Sequence, residues 1–207
     1  MRNSTYPRRR ISQEEYLAFE EESPMRHEYV AGEVYAMSGA TTRHNTISLN
    51  VNRHLHAPAR RSGCRVFVEA IKLRVLDRVY YPDVIIACGP AAEVELMVEE
   101  PSLVVEVTSP STQATDRREK LEAYMCIASL RIYLIVDQRR KHVIVYSRDA
   151  AGEWLRDEMD DEGTVEIPFL QTSLTLTEIY DDVTLPPLRV PEGEEWDANE
   201  WVEADAE

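Results

Sequence analysis

With 207 residues and 23.8 kDa, the chain has the length of a single domain, and 43% hydrophobic residues can supply a sizeable core. Its apolar runs, such as Ile132–Val136, fall far short of the ~18–20 residues that span a bilayer, which excludes a helical membrane protein. The formal charge of −15 looks hostile to nucleic acid, but its distribution is uneven. Residues 149–207 hold 19 acidic and 2 basic side chains, a balance of −17, whereas residues 1–148 hold 19 and 21, a balance of +2. The acidity belongs to the C-terminal part, and a polyanion can approach the remainder.

In chain order, residues 1–12 form a basic arm with no apolar stretch behind it, which predicts no signal peptide. Ser12-x-x-Glu15 is a capping box opening a short helix through Tyr16, Leu17 and Phe19. Residues 26–37 predict a hairpin turning at Ala31–Gly32. Thr41 or Thr42 caps a second helix with Ile47, Leu49, Val51 and Leu55 on its apolar face, ending before Pro58. Residues 65–76 and 79–88 are expected as two strands, residues 90–100 as a loop or short helical turn, and residues 102–108 as a central strand, apolar on both faces. A helix over 112–128 turns Leu121, Tyr124, Met125 and Ala128 inward, and strands at 131–136 and 142–146 follow. Residues 153–179 suggest a peripheral hairpin and a closing turn.

The order helix, three strands, helix, strand (αβββαβ) predicts an α/β (α+β) domain with a mixed central sheet flanked by helices, covering residues 1–185. Residues 186–207, with Trp196 and Trp201, form an acidic tail expected to be disordered. Three scattered cysteines (Cys64, Cys88 and Cys126) predict a reduced, cytoplasmic protein with buried thiols.

Two acids stand inside apolar strands: Asp83 in Tyr81-Pro82-Asp83 and Glu106 in Leu103–Thr108. A buried carboxylate needs a cation, hydrogen bonds or a metal. Two of them on adjacent strands match Mg²⁺, which takes one or two carboxylates plus waters and phosphate oxygens. The plainer alternative is that one acid is solvated at a strand end and the other is paired with an arginine. His54 and His56 lack helical zinc spacing, and His44 reads as a structural histidine at a helix start. Seven dispersed glycines form no phosphate-cradling loop, which argues against an ATPase or a dinucleotide enzyme.

The segments HEYVAGEVYAMSGA, RHN, CRVFVEAIKLRV, YYPDVIIAC, PSLVVEVTSPST, DRREKLEAY, RIYLIVDQ and HVIVYSR, in this order, resemble the Uma-type restriction endonuclease family of the PD-(D/E)XK nuclease superfamily. They span roughly residues 26–180, and the run LVVEVTSPST followed by DRREKLEAY is the most specific part. The resemblance implies a restriction-endonuclease-like fold, with Asp83 and Glu106 binding Mg²⁺ or Mn²⁺ and DNA as substrate. It also implies a further acid from the hairpin, for which Glu33 is the candidate. The chain departs from the superfamily where the strand lysine belongs, because Thr108 stands there. Lys120 in the following helix is the expected substitute, with Lys72 as second candidate. The local alternative for Lys120 is an i,i+4 pair with Asp116, worth only ~0.2–0.5 kcal/mol. The expected activity is metal-dependent endonucleolytic hydrolysis of DNA, with a homodimer possible. The alternative is a catalytically inactive nuclease-fold protein that binds DNA or regulates.

Overall fold

The computed structural model describes residues 10–37, 39–89, 97–108 and 114–187, with side chains of the third helix described from residue 118. Most of the basic arm (residues 1–9) and the acidic tail from residue 188 therefore lie outside the described residues.

Helix α1 (Gln13–Glu22) opens on the expected capping box: Glu15 N–H donates to Ser12 Oγ at 3.1 Å, and Ser12 N–H donates to Glu15 Oε2 at 2.8 Å. The hairpin β1 (His27–Val30) and β2 (Glu33–Ala36) turns through Ala31 and Gly32, with φ of +48° and +96°. This left-handed pair matches the twist of the strands. A Cβ at residue 32 would also come within 2.8 Å of Arg10 Cβ. Glu20 accepts hydrogen bonds from His27 N–H (3.0 Å) and the Tyr81 hydroxyl (2.8 Å), so α1, β1 and the segment before Asp83 are tied at one buried carboxylate.

Helix α2 (Thr42–Arg61) begins where Thr41 Oγ1 accepts from His44 N–H at 3.1 Å. It runs through Pro58, where a stop was expected. Proline forfeits its own N–H bond and crowds the carbonyl one turn back, but Pro58 stands in the last turn, Pro58 and Ala59 are buried, and Ser62 N–H closes that turn on Pro58 O at 3.1 Å. Its buried stripe is Ile47, Val51, Leu55 and Ala59, at steps of four. Leu49 falls off that stripe and is 50% exposed, contrary to its expected place on the apolar face.

The two long strands expected next are each broken in two. The first becomes β3 (Cys64–Val68) and β4 (Lys72–Val75); the second becomes β5 (Arg78–Tyr80) and β6 (Val84–Cys88). Glu69 and Ala70, at φ of +41° and +95°, turn the chain out of one sheet and into another, and Tyr81–Asp83 bring it back. Strand β7 (Met97–Val98) pairs with β4 inside the segment expected as a loop or short helical turn. Then come β8 (Leu103–Thr108), α3 (Ala114–Met125), β9 (Ile132–Asp137), β10 (His142–Arg148) and β11 (Trp154–Asp160). Helix α3 ends earlier than expected, and Ala128 is exposed beyond it. A small hairpin, β12 (Thr164–Ile167) and β13 (Thr172–Thr175), leads to α4 (Leu176–Ile179).

The main sheet is ordered β11-β10-β9-β8-β6-β3, and the second is β2-β1-β5-β4-β7. Strands β3, β6 and β8 pair antiparallel, and β8 pairs parallel with β9 after the α3 crossover. This is the expected αβββαβ order (α2-β3-β6-β8-α3-β9) and the expected mixed sheet. One face of it packs on α2, β12, β13 and α4 through Ile47, Val51, Leu55, Val84, Val105 and Leu134. The other packs on α3 and the second sheet through Ile85, Val104, Tyr133, Ile135, Tyr124, Leu73 and Tyr80.

The cysteines differ from the sequence reading. Cys64 and Cys88 are facing partners across β3 and β6, with Cα atoms 4.0 Å apart, and their sulfurs are bonded. Cys126 is exposed. The expectation of three buried, reduced thiols is thus corrected: cross-strand register joins two of them, and the third follows the end of α3 on its open side.

Candidate active site at the end of the central sheet

Val84 pairs with Val105 across β6 and β8, so Asp83 enters the sheet beside Glu106. The backbone locks this register: Asp83 N–H donates to Val105 O at 3.2 Å, and Val107 N–H donates to Asp83 Oδ2 at 2.6 Å. Pro82 directs the turn into β6 without losing a ladder bond. The other Asp83 oxygen, Oδ1, lies 2.7 Å from His44 Nε2. A carboxylate only accepts, so this ring nitrogen carries the hydrogen. Burial lowers the His44 pKa, but the Asp83 hydrogen bond and charge outweigh it, and the net direction is upward.

Glu106 is buried at 7% exposure, on the face of β8 that α3 covers. Its carboxylate receives the Lys120 ammonium at 3.0 and 3.1 Å and the Tyr124 hydroxyl at 2.8 Å. Lys120 and Tyr124 stand four apart on α3, so one helix face delivers both. Lys120 Nζ also lies 2.9 Å from Glu28 Oε1 on β1 and 5.7 Å from the centroid of the Tyr80 ring. Burial pushes the Glu106 carboxyl up to about 7; Lys120 opposes this, and Asp83 and Glu28 add to it. Burial alone would lower the Lys120 ammonium, yet the Glu106 and Glu28 carboxylates more than reverse this and hold it charged. The Tyr124 hydroxyl, raised by burial and by Glu106, stays protonated as a donor.

Three carboxylates thus meet one ammonium and one imidazole, an arrangement short of positive charge. The carboxylates offer hard oxygens, which suits Mg²⁺ or Mn²⁺, and two carboxylates are the number Mg²⁺ commonly uses. Asp83 and Glu106 would hold such an ion. The structure therefore brings Asp83, Glu106 and Lys120 together. It keeps Glu33 out: that carboxylate is exposed on edge strand β2 and takes a hydrogen bond from Tyr35. The hairpin acid that reaches Lys120 is Glu28. Lys72 is also elsewhere, over the Tyr81 ring. Sequence reading missed Glu28, saw Tyr124 only as core, and read His44 as a structural histidine. Glu28, like Glu106, is an acid inside a buried strand, but its neighbours His27 and Tyr29 do not mark that strand as apolar.

The model of the Uma2 family, described as "Putative restriction endonuclease", matches residues 13–178. The chain belongs to this family. Two proteins of Synechocystis sp. (strain ATCC 27184 / PCC 6803 / Kazusa) are similar to it along most of their length. The uncharacterized protein slr1290 is 30% identical over 174 residues, which are 83% of this chain and 92% of that protein. The uncharacterized protein sll1609 is 31% identical over 163 residues, 76% of this chain and 92% of that one. Among solved structures, "a putative nuclease belonging to DUF820" from Anabaena variabilis ATCC 29413 superposes with a TM-score of 0.66. It covers 82% of this chain and 97% of its own, at 17% identity. The Uma2 chain thus has the restriction-endonuclease-like fold. No helix among the described residues is long and apolar enough to cross a membrane.

Proposed function

We propose that this Uma2 protein is a Mg²⁺- or Mn²⁺-dependent endonuclease that hydrolyses phosphodiester bonds of DNA. One observation carries the reading. Asp83 and Glu106 stand side by side across β6 and β8, and Lys120 is seated on Glu106 where a strand lysine would otherwise act. A divalent ion bound there would polarise the phosphate and lower the pKa of a water nucleophile. The chain's own residues do the rest. Asp83 is oriented by His44 and Val107 N–H, and Glu106 by Tyr124 and Lys120. The Lys120 ammonium, kept charged by Glu28 and Glu106, supplies positive charge toward the phosphate that Thr108 cannot. The unit we propose as catalytic is residues 1–185, with 186–207 an acidic tail outside it. DNA places its action in the cytoplasm, and a homodimer would supply the two centres that a duplex cut needs.

The test is nicking of supercoiled plasmid by purified protein with Mg²⁺ or Mn²⁺, against Asp83→Ala and Glu106→Ala. Loss of nicking in both variants supports the reading, and equal nicking by all three overturns it. DNA binding with no cleavage by the wild type points instead to an inactive nuclease-fold binder.

A further inference from the structure

Beside the carboxylates lies a second constellation that the metal chemistry does not use. Arg26 Cζ stands 5.9 Å from the centroid of the Tyr81 ring, and Lys72 Nζ stands 5.8 Å from the same centroid. The two cations come from different places in the chain, one just before β1 and one opening β4, and they can be no more than about 12 Å apart. Tyr81 is 6% exposed, and its hydroxyl is fixed at 2.8 Å on Glu20, so the platform under them is rigid.

Each cation–π contact is worth only ~0.5–1 kcal/mol at such a site, which does not account for gathering two like charges on one ring. Among the described residues, neither cation makes an ion pair with a carboxylate, in a chain with 38 acids and 23 Lys and Arg residues. Two cations with no carboxylate partner among the described residues, gathered on one ring, offer a place for an anion from outside. Their position says which. Tyr81 is two residues from Asp83, and Arg26 is two residues from Glu28. Two residues of chain span at most about 7 Å between Cα atoms, whatever their conformation. Arg26 and the ring that carries the pair are therefore anchored within that reach of the residues that carry the carboxylates.

We propose that Arg26 and Lys72, mounted on Tyr81, form a phosphate subsite that grips the nucleic-acid backbone next to the phosphodiester held at Asp83 and Glu106. The inference rests on the nuclease reading and adds to it where the strand runs. The pair positions the backbone and takes no part in the metal site or in bond breaking.

The experiment compares Arg26→Gln, Lys72→Gln and their double variant with Arg60→Gln/Arg61→Gln. The latter removes the same two charges from the exposed far end of α2. Duplex oligonucleotide binding is followed by fluorescence anisotropy in EDTA over a salt series. Each phosphate contact contributes about 0.9 to the slope of log K against log salt. The subsite double variant should lose between one and two from that slope and bind about tenfold or more weakly at low salt. The α2 variant should keep the wild-type slope, and Mg²⁺ affinity by calorimetry should stay within about twofold in all of them. Wild-type slope and affinity in the double variant, from a protein whose parent cuts DNA, overturn the subsite and leave the nuclease reading standing. If the parent neither binds nor cuts DNA, that reading fails, and inorganic phosphate decides the subsite. Phosphate-induced NMR shifts of the Tyr81 ring, absent in the double variant, keep it as a phosphate site; no shift in the wild type overturns it.

Discussion

Two clusters of histidine and carboxylate sit at the same end of the six-stranded sheet, and they are built in opposite ways. At β6 and β8, Glu106 and Lys120 have side chains only 9% and 12% exposed, and Asp83 and His44 close the group. At β10 and β11, the His142 ring lies between Asp160 (2.9 Å from Nδ1) and Glu158 (3.2 Å from Nε2), whose side chains are 59% and 37% exposed. The second cluster is the more compact. Among the described residues it is the one group of three or more such side chains whose ligand atoms all lie within 4.8 Å of one another. Compactness is nevertheless the poorer guide to function. Asp160 also meets Arg140 at 3.3 Å, and the two carboxylates are largely open to water. At the buried site the carboxylates have been taken out of water, at a cost of several kcal/mol per ion, with too few cations to match. That imbalance is what a bound metal would relieve.

The largest expected effect separates the clusters directly. Asp83→Ala or Glu106→Ala should lower nicking by on the order of 10³-fold, since metal assistance supplies several kcal/mol to the transition state. Either change should also abolish the calorimetric Mg²⁺ signal. His142→Ala should leave both within about twofold. A metal signal that vanishes with His142 and survives without Glu106 would reverse the assignment.

Next comes Lys120→Met, which removes the ammonium and leaves Glu28 and Glu106 buried against each other. Breaking a buried pair by deleting one partner costs about 3–5 kcal/mol, so denaturant unfolding should show a loss of that order. Added Mg²⁺ should restore more stability to this variant than to the wild type, because the ion replaces the missing positive charge. Cleavage should fall at least about a hundredfold while metal affinity holds or rises. An unchanged Mg²⁺ response would show that Lys120 is only structural.

The third effect is in pH. The Glu106 carboxyl is raised to about 7, mainly by burial, against 4.5 for the ordinary group. Its folded form therefore keeps the proton between those values while the unfolded form loses it. The contribution of Glu106 to stability therefore falls as pH rises through 4.5–7, by on the order of 3 kcal/mol if the whole shift is expressed. Glu106→Gln cannot titrate and should flatten the curve of unfolding free energy over that window. A difference between wild type and Glu106→Gln that grows in the wild type's favour as pH rises would mean that Lys120 dominates and Glu106 stays ionised.

How much of this was legible in the sequence depends on what kind of signal each residue left. Asp83, Glu106 and Lys120 stood out because an acid in an apolar strand, and a lysine beside a buried helix face, contradict their surroundings. Glu28 sits in His27–Val30, whose first three residues are buried, but in sequence it stands between His27 and Tyr29 and looks no more buried than Glu33 before Val34 and Tyr35. Only register across the hairpin separates the two acids, and register is a property of the fold. His44 shows nothing locally, since its partner Asp83 is 39 residues away. The strand breaks were hidden for another reason. Glu69 and Ala70 turn through positive φ without a glycine, a costly conformation that local preference does not announce. It is maintained here by Glu69 N–H on Asp83 O at 3.0 Å and by Asn45 Nδ2 on Glu69 Oε1 at 3.1 Å.

The smallest expected effect tests the outer cluster on its own terms. Glu158→Gln/Asp160→Asn keeps the shapes of both side chains and removes their charge from the two sides of the His142 ring. Exposed ion pairs typically contribute ~0–1 kcal/mol and are screened within about 10 Å at 0.1 M salt, so most of their attraction is already lost to solvent. The ring itself stays buried, at 6% exposure, and His142 N–H keeps its 3.0 Å bond to the Tyr180 hydroxyl. The double variant should therefore lose less than about 1 kcal/mol in denaturant unfolding at 0.1 M salt, and the difference should shrink at 1 M. Nicking and Mg²⁺ affinity should match the wild type. A loss of several kcal/mol that salt does not reduce would mean that these carboxylates hold the ring as tightly as Glu106 holds Lys120. A fall in metal affinity would mean that the compact cluster, and not the buried one, is where the ion binds.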